Sequence, residues 1–150
     1  MQYKLWLSAL LSSSFILVGC VNQPSATQQQ WNLKNLENKN WNLSHIGAAE
    51  IKAEPMSVGI PSLQFDAATK RVSGSDGCNR IMGSYNIQGE HIKLGQIART
   101  QRYCNQAREL SQQYNTALDR VTAYQVYDQT LRLLDRHGNP VLQFSATTTP

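Results

Sequence analysis

The stretch SGSDGCNRIMGSY, Ser73–Tyr85, sets the reading of this chain. Three glycines, Gly74, Gly77 and Gly83, bracket one cysteine, Cys78, which is followed directly by Asn79 and Arg80. Asp76-Gly77 is a turn pair in which glycine supplies a positive φ that side-chain-bearing residues resist. Before the turn, Lys70-Arg71-Val72-Ser73 reads as a strand. After it, Ile81–Ile87 reads as another, with Tyr85 and Ile87 on one face and Gly83 marking a bulge or a close approach. The stretch contains no Gly-x-Ser-x-Gly elbow, and its acidic spacing is not that of a calcium loop. It reads as a tight structural corner between two antiparallel strands.

Working outward, the chain alternates short strand signals with turn signals. Trp41–Ile46 is the first strand, ending at Gly47, and Trp31 belongs to a preceding arm. Pro61–Asp66 alternates apolar and polar residues, His91–Leu94 follows the turn at Gly89, and Gln96–Thr100 is a further short candidate. Between Asn105 and Val121 the period changes. Ala107, Leu110, Tyr114, Leu118 and Val121 recur at helical spacing, which predicts an amphipathic helix with Asn105 as its N-cap. Tyr124–Tyr127, Leu131–Leu134 and Val141–Phe144 then read as a closing meander. The expected fold is α+β: a curled antiparallel sheet of about 7–8 strands, open or cracked like an incomplete β-barrel, closed or plugged by one helix.

The N-terminus carries an address. Lys4 precedes an apolar run, Leu5–Val18. The run falls short of the roughly 20 residues that span a bilayer but suits the apolar core of a secretory signal. It ends in Leu17-Val18-Gly19-Cys20, which resembles the lipobox of bacterial lipoproteins. That resemblance implies removal of residues 1–19 and acylation of Cys20, with the acyl chains holding the protein on a membrane. Val21 stands where an inner-membrane retention signal would show Asp, which favours the outer membrane, with the domain facing the periplasm. Residues 20–30 then read as the lipidated cysteine and a polar tether, and 31–150 as the folded domain, its core about 40–145. The formal charge of +4, with no run of five like charges, gives no sign of a nucleic-acid arm. A monomer is expected.

Trp41-x-Leu43, Arg71-Val72-Ser73-Gly74, Gly77-Cys78-Asn79-Arg80 with Tyr85, Thr100-x-x-x-Cys104, and Leu131-x-Leu133 with Asp135 and Gly138 together resemble the META domain, also called HslJ-like. The ordered set covers nearly the whole folded part. The resemblance implies a small cracked barrel with one helix, found in envelope lipoproteins linked to heat shock and antibiotic tolerance and similar in fold to pilotins. It brings no catalytic residues. Gly77, Cys78, Asn79, Arg80, Thr100 and Cys104 transfer as signature residues, with structural roles expected.

With Cys20 lipidated, Cys78 and Cys104 remain as a pair in an oxidising compartment. A bridge between them is the favoured reading and would contribute about 3.5 kcal/mol by loop entropy. Two inert thiols, or a reactive or metal-bound pair, are the alternatives. No zinc-ligand spacing occurs, His45, His91 and His137 have no motif partners, and no cofactor is expected. The function expected is a non-catalytic binding or scaffold module in envelope integrity, stress or antibiotic tolerance, with a possible envelope protein as partner. Alternatives are a pilotin-like chaperone using Tyr114, Tyr124 and Tyr127 to line a groove for a partner helix, or a lipocalin-like carrier. Behind both stands an envelope enzyme whose thiol is activated by Arg80 or Arg102.

Overall fold

A computed structural model describes residues 25–52 and 59–146. The expected signal peptide, Cys20 and the first tether residues lie outside this range. In chain order the described elements are α1 (Ala26–Leu36), β1 (Asn40–Ile46), β2 (Ala49–Glu50), β3 (Ser62–Asp66), β4 (Arg71–Ser75), β5 (Arg80–Gln88), β6 (His91–Leu94), β7 (Ala98–Arg99), α2 (Arg108–Leu118), β8 (Ala123–Tyr127), β9 (Thr130–Leu134) and β10 (Pro140–Ala146).

Eight strands form an antiparallel barrel in the order β1-β3-β4-β5-β6-β8-β9-β10, and β10 returns to pair with β1. The sheet is therefore closed rather than open. Strand β1 is long enough to use both edges, meeting β3 at residues 40–42 and β10 from Trp41↔Ala146 to Ile46↔Leu142. Closure removes the exposed edges that an open sheet would present. The narrowest seam is β6–β8, held by the His91↔Ala123 pair and backbone bonds from Ile92 to Thr122 and from Tyr124 to Glu90. The short β2 and β7 append to β1 and β5, which brings the strand count to ten.

Alternation along each strand sends one set of side chains inward. Trp41, Leu63, Phe65, Ile81, Tyr124, Leu131, Leu133 and Phe144 are all fully buried. Each large side chain removed from water contributes about 1.5–3 kcal/mol, so these layers carry most of the hydrophobic stabilisation. Gly83 is a close approach, as its position in β5 predicts: a Cβ there would lie 2.6 Å from the Ile97 side chain.

The two helices cover opposite ends of the barrel. α2 packs on β10 and β1, with Tyr114, Ala117 and Leu118 buried and Tyr114 edge-on to Phe144 at 6.4 Å. It begins at Arg108 rather than Asn105, and its N-cap position is Ala107, whose methyl group makes no capping hydrogen bond. Cys104 is held by a disulfide to Cys78, so the chain through Asn105 is directed by that bond and turns before the helix starts.

α1 departs from the sequence reading. Residues 26–30, read as tether, form its first turns, with Ser25 accepting a hydrogen bond from the Gln28 amide. Trp31 lies in this helix and stays exposed. The segment ATQQQWNLKNL has almost no apolar stripe, and a helix so short is marginal alone. Tertiary contacts hold it. Leu36 is fully buried, and its carbonyl accepts from the Trp41 indole N–H at 2.8 Å. Glu37, just beyond, accepts from Lys70 at 2.6 Å and from the Tyr85 hydroxyl. Asn38 donates its amide to the Phe65 carbonyl. α1 also lies along β8, where that strand outruns the β5–β6 turn.

Candidate functional site

The glycine-rich corner between β4 and β5 is built around Asp76, which is 1% exposed. Its Oδ1 accepts from the amides of Cys78 at 2.9 Å and Asn79 at 2.6 Å, and from the Ser111 hydroxyl at 3.3 Å. Its Oδ2 accepts from the Asn115 amide at 2.9 Å. Burial alone would raise the Asp76 pKa. The donors of Asn79, Asn115, Cys78 and Ser111 outweigh that effect, and the carboxyl is held below its ordinary value. Gly77 has φ +95°, the left-handed turn that Asp76-Gly77 predicts, and a Cβ there would press on the Gly59 carbonyl at 2.8 Å.

The signature residues converge on this corner. Asn79 Oδ1 accepts from the Thr100 hydroxyl at 3.1 Å and the Arg102 amide at 2.7 Å. The Thr100 hydroxyl accepts in turn from the Arg80 amide. Cys78 and Cys104 form a disulfide with Cα atoms 5.9 Å apart, which excludes the free or metal-bound thiol pair. Gly77, Cys78, Asn79, Arg80, Thr100 and Cys104 therefore act together: they strap the loop from β7 to α2 against the β4–β5 turn. Arg99 completes the strap, donating from Nε to Asn115 Oδ1 at 2.8 Å and pairing with Asp119 at 3.1 Å.

Asp76, Ser111 and Asn115 were not legible as partners from sequence. Ser111 and Asn115 are four residues apart and share one face of α2, but nothing local says that the face meets an aspartate. Tyr114, Tyr124 and Tyr127 do not form a common lining. Alternation in β8 sends Tyr124 into the interior and Tyr127 outside, where it is exposed, while Tyr114 is buried under α2. Among the described residues, the Tyr114 and Tyr124 hydroxyls find no hydrogen-bond partner. Burial, reinforced by the charge of Asp76, holds the Tyr114 hydroxyl far above its ordinary pKa. Burial, then the charges of Glu37 and Glu90, push Tyr124 up to about 12.

Beside the strap runs a surface cleft of about 660 Å³, lined by Arg99, Arg102, Tyr103, Arg108, Gln112 and Thr116 among others. A second hollow of about 610 Å³, reaching Glu109, Arg120, Asp135 and Val141, lies along α2 toward the β9–β10 turn. Asp135 anchors that turn. Hydrogen bonds from the Asn139 and His137 amides, working against burial, bring its pKa down to about 2. None of the three histidines lines the first cleft. Among the described residues no group of three or more His, Cys, Asp or Glu side chains is placed to hold a metal.

Solved structures share this architecture. One is a protein from Burkholderia xenovorans, with a TM-score of 0.59 at 23% identity, covering 95% of this chain and all of that one. Another is a DUF4847-family protein from Bacteroides vulgatus, with a TM-score of 0.54 at 15% identity, covering 78% of this chain and 98% of that one. At these identities the likeness shows the fold alone. A search among curated proteins found no match. The profile of the META domain matches residues 34–148, which takes in every barrel strand and the strapped corner. The chain belongs to the META domain family.

Proposed function

We propose that this META-domain protein is an outer-membrane lipoprotein, anchored through Cys20, that works as a non-catalytic binding module in envelope integrity and stress tolerance. The observation that supports recognition over catalysis is the state of the polar groups at the corner. The Asp76 carboxylate is occupied by four donors, Cys78 and Cys104 are consumed in a disulfide, and Asn79 and Thr100 bind the loop. A nucleophile or general base needs a free lone pair facing substrate. Here the reactive groups build a wall, and the open surface is the cleft beside it. The lipocalin-like alternative finds little support, because side chains such as Trp41, Phe65 and Phe144 fill the barrel interior. A pilotin-like apolar groove is likewise not what the polar and charged cleft offers.

The anchor is carried by Leu17-Val18-Gly19-Cys20 and tested through it. In the native host, an alkyne-bearing fatty acid should label the protein, and Cys20→Ala should abolish the label and release the domain from outer-membrane fractions. An unlabelled protein recovered in the soluble periplasm would overturn the address. Envelope permeability to a bulky dye, measured in cells lacking the protein, should be restored by the wild type and not by Cys20→Ala. Equal rescue by both would separate the role from the anchor and sink the combined reading.

A further inference from the structure

From the cleft along α2 we infer a binding site for a soluble sugar phosphate, its phosphate taken by Arg102 and Arg108 and its hydroxyls by the amide and hydroxyl side chains of the wall. This deepens the binding-module reading and rests on it. Of the three guanidinium groups lining the cleft, Arg99 is already engaged by Asn115 and Asp119. Arg102 and Arg108 are exposed and have no acidic partner among the described residues. The lining stays net positive, with three arginines against the two carboxylates of Asp76 and Asp119. Asp76 is 1% exposed and taken up by donors from Cys78, Asn79, Ser111 and Asn115, and Asp119 is paired with Arg99.

An arginine fork is matched to a phosphate or carboxylate edge and is less strongly hydrated than an ammonium group, so two unpaired forks in one concavity favour an oxyanion. The remaining wall narrows the class. Gln112 and Thr116 lie one helical turn apart on α2 and line the cleft as well; the Gln112 amide offers a donor and an acceptor, and the Thr116 hydroxyl, which donates to the Gln112 carbonyl at 2.9 Å, offers an acceptor to ligand hydroxyls. Tyr103, 83% exposed, adds an aromatic ring at the same cleft. At about 660 Å³ the space is larger than a lone phosphate needs and falls within the ordinary range for small-molecule sites. The Cys78–Cys104 disulfide and the Asn79–Arg102 hydrogen bond fix the loop that carries Arg102 and Tyr103, so the site is preorganised. The cleft lies at the α2 end, away from α1, whose first residue Ala26 stands six positions after the proposed anchor Cys20, which favours a soluble ligand over a headgroup of the anchoring bilayer.

The test is a titration of the mature protein in detergent micelles with glucose 1-phosphate, followed by amide chemical shifts and calorimetry. The expected result is saturable binding, with the largest shifts at Arg102, Tyr103 and Arg108, and much weaker binding of glucose. Arg102→Gln and Arg108→Gln should each weaken binding about tenfold, consistent with the loss of one charge-assisted contact. A control pair outside the cleft, Lys93→Gln with Arg136→Gln, removes the same charge as Arg102→Gln combined with Arg108→Gln and should leave affinity unchanged. Equal losses in both pairs would reduce the effect to overall charge and overturn the site. Unsaturable binding, or glucose binding as well as its phosphate, would overturn the class. Competition by phosphatidylinositol dissolved in the same micelles would overturn the soluble source. Because the titration does not depend on the anchor, its failure is separable from failure of the Cys20 labelling.

Discussion

Asp76 shows how much one buried carboxylate can organise. Desolvation opposes its ionisation, yet two backbone amides, an asparagine amide and a hydroxyl meet it, so the charged form is the stable one. Asp76→Asn turns an acceptor toward a donor at Asn115 and should cost about 2 kcal/mol in denaturant unfolding. A variant as stable as the wild type would show that the corner does not need the charge. The pH dependence follows from sign. Asp76 and Asp135 have folded pKa values below the ordinary carboxylate value of 3.8, Asp135 at about 2, so the folded state holds fewer protons than the unfolded one in that window. Their contribution is complete above pH 3.8 and is lost as pH falls through the folded values, a loss that an acid unfolding series should reveal. Tyr114 makes the opposite case. Its hydroxyl is buried without a partner among the described residues, so Tyr114→Phe should be neutral or stabilise by about 1 kcal/mol. A lower melting temperature would mean that the hydroxyl is bonded after all, through bound water.

At the scale of elements, the two helices solve the same problem with different chemistry. α2 has a clear apolar stripe and would be recognised in any context. α1 has very little, and it folds because Leu36 finds a partner on the adjoining β1, and Glu37 and Asn38 find theirs on β3, the β3–β4 turn and β5, further along the chain. Leu36→Ala should therefore cost about 3 kcal/mol. It should also raise hydrogen exchange in α1 and along β8, the strand that α1 covers. Unchanged exchange in β8 would mean that the helix is an ornament rather than a cover. The strap between β7 and α2 is equally an element with one purpose. Removing its covalent bond with Cys78→Ser and Cys104→Ser should lower stability by about 3.5 kcal/mol, read as a drop in the denaturant midpoint. The first check is intact mass after alkylation: no label before reduction and two after it.

Taken whole, the molecule is a closed barrel with one helix over each end, and the ends differ. The β3–β4, β5–β6 and β8–β9 turns lie at the α1 end, while the β4–β5 and β9–β10 turns lie at the α2 end with both clefts. If Cys20 carries the acyl chains, five residues separate it from the start of α1 at Ala26. At a reach of about 3.5 Å per residue, that keeps the α1 end within about 20 Å of the bilayer. Paramagnetic lipid in proteoliposomes should then broaden amides near Gly89 and Asp128 more than those near Asp76 and Gly138. Uniform broadening would contradict this orientation.

The local signals in the sequence determined a good deal. Short strand signals between turn residues located the barrel strands, period-three-and-a-half spacing located α2, Asp76-Gly77 set a left-handed turn, and the cysteine pair favoured the bridge. These properties belong to a few neighbouring residues, or to a count, and so they are written in one dimension. Tertiary structure alone decided the rest. It closed β1 on β10, folded residues read as tether into α1, displaced the start of α2 from Asn105, and divided three tyrosines between core and surface. It also brought Asp76 to Ser111 and Asn115, and left Arg102 and Arg108 unpaired in one cleft. Each of those outcomes depends on which distant groups satisfy a buried donor, acceptor or strand edge, and that choice exists only once the chain has folded back on itself.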